Sequence, residues 1–100
     1  MNSPFVIVYD NFLDKTNEAQ FIEVLTSSFI SKKGKNYMYF ISVDTEKYKE
    51  AKDIYNLLAS KLKFDSSFIV IELSNFYGAF SSGDVLDWVK EQFPNWHFIT

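Results

Sequence analysis

Asp10 and Asp14 form the carboxylate pair nearest the end of an apolar strand run. Carboxylate oxygens suit a hard divalent cation such as Mg²⁺ or Mn²⁺. A cation held there could activate water for phosphodiester cleavage. The simpler reading is that Asp10 ends its strand through an Asx turn. Lys32, Lys33 and Lys35 are the chain's basic cluster. With Tyr37 and Tyr39 close by, they could meet phosphates while a ring stacks on a base. The competing reading is a solvated hairpin tip whose lysines discourage edge-to-edge strand pairing.

Other chemistries find fewer residues. There is no cysteine, so disulfides and thiolate metal sites are excluded. His97 is the lone histidine, and zinc there would need an all-carboxylate remainder, so it reads as structural. No Ser or Thr stands at an interpretable nucleophile spacing. The glycines Gly34, Gly78 and Gly83 assemble neither a Walker loop nor a dinucleotide fingerprint. Glu72 interrupts an apolar strand and must lie at an exposed end or be hydrogen-bonded, because an unpaired buried carboxylate is costly.

Composition sets the frame for these groups. One hundred residues fit a single domain, 1–100, and 47% apolar content, 19% of all residues being aromatic, can build a bulky core. The surplus of rings also points to apolar surface left for a partner. The net charge is −3, and all basic residues are lysine. Arginine is the preferred residue for bidentate phosphate and guanine contacts, so sequence-specific DNA binding is disfavoured. The absence of disulfides and of a signal-peptide pattern points to a cytoplasmic protein. The longest apolar run, Phe5 to Tyr9, is too short to span a bilayer, so no membrane association is expected.

The elements that position the candidates read as follows. Phe5–Tyr9 is a strand buried on both faces, hence central. Asn17 caps a helix to about Ser28, with Gln20 completing a capping box and Phe21, Ile22, Leu25 and Phe29 as its stripe. Phe29–Asn36 and Tyr37–Asp44 form a hairpin around Gly34. Asp44 or Thr45 caps a second helix with the stripe Tyr48, Ala51, Ile54, Tyr55, Leu58 and Leu62. Ser67–Leu73 is the last long strand. The order β-α-β-β-α-β predicts an α+β, ferredoxin-like sandwich, an antiparallel sheet with both helices on one face. After a loop, Ser74 to Phe80, Ser81 or Ser82 starts a short C-terminal helix. Val85, Leu86, Val89 and Phe93 face its inside, and Trp96–Thr100 forms an edge strand. The rings Tyr77, Phe80, Trp88, Phe93 and Trp96 read first as core, with Trp88 at the fringe of its helix face and open to an interface.

This layout resembles a family of small ferredoxin-like proteins. It includes VapD-type ribonucleases, the small dimeric CRISPR-associated adaptation subunit and SinR-like proteins. The matching pieces are Val8-Tyr9-Asp10 closing the first strand, Tyr39–Asp44, and Phe68–Leu73. Asn75-Phe76-Tyr77-Gly78-Ala79-Phe80 leading into Val85–Lys90 completes the match. The resemblance implies a homodimer with Asp10 near its axis as a metal ligand, and weak nucleic-acid binding or metal-dependent nuclease activity. Where relatives carry an arginine-containing segment, this chain has Asn11-Phe12-Leu13-Asp14. The missing arginine, the acidic balance and the single matching ligand favour the alternative, a non-catalytic dimeric protein-interaction or regulatory module.

Overall fold

Alternation of apolar residues fixes the strands, and period-3.6 spacing fixes the helices. The computed structural model describes residues 2–73 and 84–93, apart from the side chains of Asp84 and Leu86. The elements are β1 (Asn2–Tyr9), α1 (Lys15–Ser28), β2 (Ile30–Lys33), β3 (Met38–Asp44), α2 (Ala51–Lys61), β4 (Phe68–Glu72) and α3 (Asp84–Gln92). The strands form one antiparallel sheet in the order β2-β3-β1-β4, which is the ferredoxin-like arrangement of two interleaved βαβ units. β1 and β3 are central. No helix among the described residues is long and apolar enough to cross a membrane.

One sheet face carries Phe5, Ile7 and Tyr9 of β1, Ile41 and Val43 of β3, and Phe68 of β4. These pack with Phe21 and Leu25 of α1 and Ile54 and Leu58 of α2 into the main core. The other face carries Val6 and Phe40, which meet Val85 of α3, with Met38, Leu73 and Trp88 at its margin. The predicted inward positions Val85, Val89 and Phe93 of α3 are all buried. Trp88 is half-buried and packs edge-on to Phe93, with ring centroids 6.1 Å apart. The predicted edge strand at 96–100, the loop at 74–80 and the serine caps of α3 fall outside the described residues.

Three local expectations are corrected. α1 starts earlier than Asn17, because Asp14 Oδ1 accepts from the Thr16 N–H at 2.8 Å and caps the helix. Lys15 and Thr16 contain no breaker, so the helix extends back to the earlier cap. α2 starts later than Asp44. Asp44 Oδ1 accepts from the Glu46 N–H at 3.0 Å, but that bond closes only a single turn. The helix itself begins after Glu50, where Asp53 Oδ2 accepts from the Lys49 and Glu50 N–H groups at 3.0 and 3.2 Å. β1 is not covered on both faces along its whole length, since Val8 is exposed.

The β2–β3 turn depends on two backbone features. Asn36 adopts φ 46°, a left-handed conformation that asparagine tolerates. A Cβ on Gly34 would lie 3.1 Å from a Phe40 ring carbon and 3.2 Å from Met38 Sδ, so a side chain there would displace both.

The contrast between the faces is measurable. Ile54→Ala should cost about 2–5 kcal/mol, because it opens a cavity in the main core. Ile69→Ala, on the exposed part of the sheet, should stay within about 0.5 kcal/mol in dilute solution. Urea unfolding of the two variants checks this. Equal losses would mean that the two faces are not packed as described.

Candidate functional site

Asp10 directly follows β1, and its backbone N–H donates to the Ser67 carbonyl at 3.1 Å. It lies on the rim of an open depression of about 360 Å³ shared with Asp14 and Asp65. The fold thus adds Asp65, from the α2–β4 connection, to the pair read from the sequence. Asp14, however, is occupied as the cap of α1. Lys15 beside it donates to Asn11 Oδ1 at 3.0 Å and lies 3.8 Å from Glu18. Among the described residues, no three carboxylate or imidazole groups are placed to hold a metal ion together. The i-to-i+2 bond of an Asx turn is made by Asp14, and by Asp44 at the end of β3.

The lysines are divided by the strand pleat. Lys32 pairs with Phe40 and Lys33 with Tyr39 in the β2–β3 register, so the two side chains leave opposite faces of the sheet. Lys33 Nζ donates to the Asn36 carbonyl at 3.1 Å and lies 5.6 Å from the Tyr39 ring centroid. Lys35 is exposed in the turn. Tyr39 is buried and offers no face to a base, whereas Tyr37 is exposed. The three lysines therefore do not make one continuous basic surface.

Tyr9 is the hub of the aromatic core at this end. Its ring lies 5.0–6.3 Å from those of Phe12, Phe21, Tyr37 and Tyr39. Burial pushes its phenol from the ordinary 10.0 up to about 12, and Tyr39, Glu18 and Tyr37 add to the rise. Burial, with Glu18, also raises Tyr39. Phenols held in the neutral form are not activated as nucleophiles or bases near neutral pH.

The most distinctive surface lies on β4. Ile69 is 60% exposed, Ile71 43% and the adjoining Val8 38%. Among the described residues, α3 meets the sheet on the β2–β3 side and does not cover this half. β4 is also a sheet edge. The bonds Asp10 N–H to Ser67 O and Leu73 N–H to Pro4 O show which of its residues face β1. By alternation, Ile69 and Ile71 direct their backbone groups to β1, while Phe68, Val70 and Glu72 direct theirs outward. Glu72 is accordingly exposed at the strand end. Beside the edge, between α2 and β4, lies a second open depression of about 360 Å³ bounded by Tyr55, Leu62, Phe64 and Phe68. Tyr55 stacks on Phe68 with centroids 4.7 Å apart. It is not a core residue of the α2 stripe, as its spacing predicted. In sequence this segment reads as the last long strand, with no statement of which faces are covered. Glu72 is its one signal of an exposed end, since a fully buried strand rarely carries a charge.

The Tyr9 environment gives a pH signature. A phenol whose folded-state pKa is raised stabilises the fold fully below pH 10, and that contribution is lost as pH rises through about 12. Urea midpoints should therefore fall across this window. Tyr9→Phe should flatten the fall, with Tyr39 supplying the remainder. An unchanged pH profile in Tyr9→Phe would show that this ring does not carry the effect.

Comparison with family models, curated proteins and solved structures found no match to this chain.

Proposed function

We propose that this protein is a non-catalytic interaction module that binds another polypeptide along β4 and the open half of its sheet. The observation that carries the reading is the exposure of Ile69 and Ile71 on an edge strand whose outward backbone groups have no strand partner among the described residues. Apolar edges attract an added strand. The new main-chain bonds supply affinity, and alternate side chains supply specificity. The depression along Tyr55 and Phe68 offers room for side chains on one face of such a strand, and Ile69 and Ile71 offer apolar contact on the other.

A second reading follows the resemblance to VapD-type and CRISPR-adaptation proteins, namely weak nucleic-acid binding or metal-dependent nuclease activity. The presence of Asp10, Asp14 and Asp65 around one depression supports it. The division of Lys32 from Lys33 by the sheet, and the use of Asp14 as a helix cap, weigh against it.

Two measurements separate the readings. A short synthetic peptide of alternating isoleucine and threonine should shift the amide resonances of Phe68–Glu72 and the methyls of Ile69, Ile71 and Val8. No shift at millimolar peptide would remove the interaction reading. Cleavage of RNA or DNA with Mg²⁺ or Mn²⁺ that disappears in a folded Asp10→Ala variant would establish the second reading. Any oligonucleotide binding should be weak and salt-sensitive, with each phosphate contact contributing a slope of about −0.7 to −0.9 in log affinity against log salt. Replacing Lys32, Lys33 and Lys35 by serine should lower that slope.

A further inference from the structure

We infer that the occupant of the β4 edge is a second copy of this chain, paired strand to strand about a two-fold axis at Val70. The inference rests on the reading of β4 as a binding edge and specifies what binds there.

An isologous strand pair must be antiparallel, so that the same patch is used on both copies. Its hydrogen bonds must come from the residues whose backbone groups point away from β1, namely Phe68, Val70 and Glu72. Only the register centred on Val70 uses all three. It pairs Val70 with the other copy's Val70, and Phe68 with its Glu72. Ile69 then stands opposite the other copy's Ile71 in the non-hydrogen-bonded pairs, where side chains approach most closely. The two exposed isoleucines of the strand thus cover each other. The product is a continuous eight-stranded sheet, twice the four strands of one copy.

Charge selects this edge over the other one. The β2 edge carries Lys32 and Lys33, which would oppose like charges in a β2–β2 pair. In the Val70 register the two Glu72 carboxylates stand opposite phenylalanines. They are separated by four residues along the strand, roughly 13 Å, which exceeds the screening length of about 8 Å at physiological salt. A β4-to-β2 contact would be head-to-tail and would leave an edge open on each end, giving ribbons rather than a closed dimer.

The size of the patch sets the strength. On the face away from α1 and α2, Ile69, Ile71 and Val8 are exposed. A patch of this kind covers on the order of a few hundred Å². A standard interface buries about 800 Å² per partner. The dimer should therefore be weaker than one of standard size and should dissociate on dilution.

Sedimentation equilibrium of the full chain, from low micromolar to millimolar concentration, should show a monomer–dimer equilibrium. The variants I69K/I71K and I69E/I71E change only exposed side chains and should keep the wild-type circular dichroism. Each alone should dimerise at least about tenfold more weakly. Because position 69 of one copy faces position 71 of the other, an equimolar mixture of the two variants should recover dimer. A wild type that stays monomeric would overturn the inference, as would variants that dimerise as tightly as wild type or a mixture that stays monomeric. The peptide titration of β4 tells the two failures apart. Peptide-induced shifts in a monomeric wild type leave the interaction module standing without the dimer, and silence in both experiments removes both.

Discussion

A strand with neighbours on both sides must divide its backbone groups between them, and β1 does so residue by residue. The Tyr9 N–H donates to the carbonyl of Tyr37, just before β3, at 2.9 Å, and the N–H of the next residue, Asp10, donates to the Ser67 carbonyl at 3.1 Å on the β4 side. Continued back along the strand, this alternation gives the odd-numbered residues to β3 and the even-numbered ones to β4. Pro4 fits a central strand only because of this division. Its missing N–H falls opposite Leu73, just past the end of β4, where Leu73 N–H still donates to the Pro4 carbonyl at 3.0 Å. The same residue at Ile7 would remove a bond from the middle of the β3 ladder.

The pleat of β1 also decides which side chains meet the helices. Phe5, Ile7 and Tyr9 point to α1 and α2, which close over them with Phe21, Leu25, Ile54 and Leu58. Val6 and Val8 point the other way, where α3 is the one helix among the described residues. α3 reaches the β2–β3 half of that face. Among the described residues two helices cover one face and one the other, and Val8, Ile69 and Ile71 are exposed. Exposed isoleucines on a sheet edge lower solubility unless something covers them. Their presence beside outward backbone groups of β4 that have no strand partner among the described residues is thus the feature of this surface that most needs a functional account. The acidic depression at the other end of the same strands needs less, because Asp14 already serves the helix and the remaining carboxylates do not converge.

Much of the architecture is local information. The alternation in Tyr39–Asp44, the spacing of Phe21 and Leu25, and the stripe of Ile54 and Leu58 require a strand and two helices wherever those segments lie in space. The helix starts were less legible. Asp14 and Asn17, like Asp44, Thr45 and Glu50, are all acceptable near a cap. The choice depends on where packing lets the first turn form, which is a tertiary quantity.

Element types, their order, and an apolar supply larger than one core needs follow from the residues alone. So does the absence of arginine and cysteine chemistry. Tertiary structure alone decided that Lys32 and Lys33 part company across the sheet, and that Asp65 comes beside Asp10. It also decided that Ile69 and Ile71, in a run read only as the last long strand, lie at an exposed edge. The reason is that burial of a strand face depends on which elements lie above it and whether a further strand lies beside it. Neither is encoded in the alternation of the strand itself.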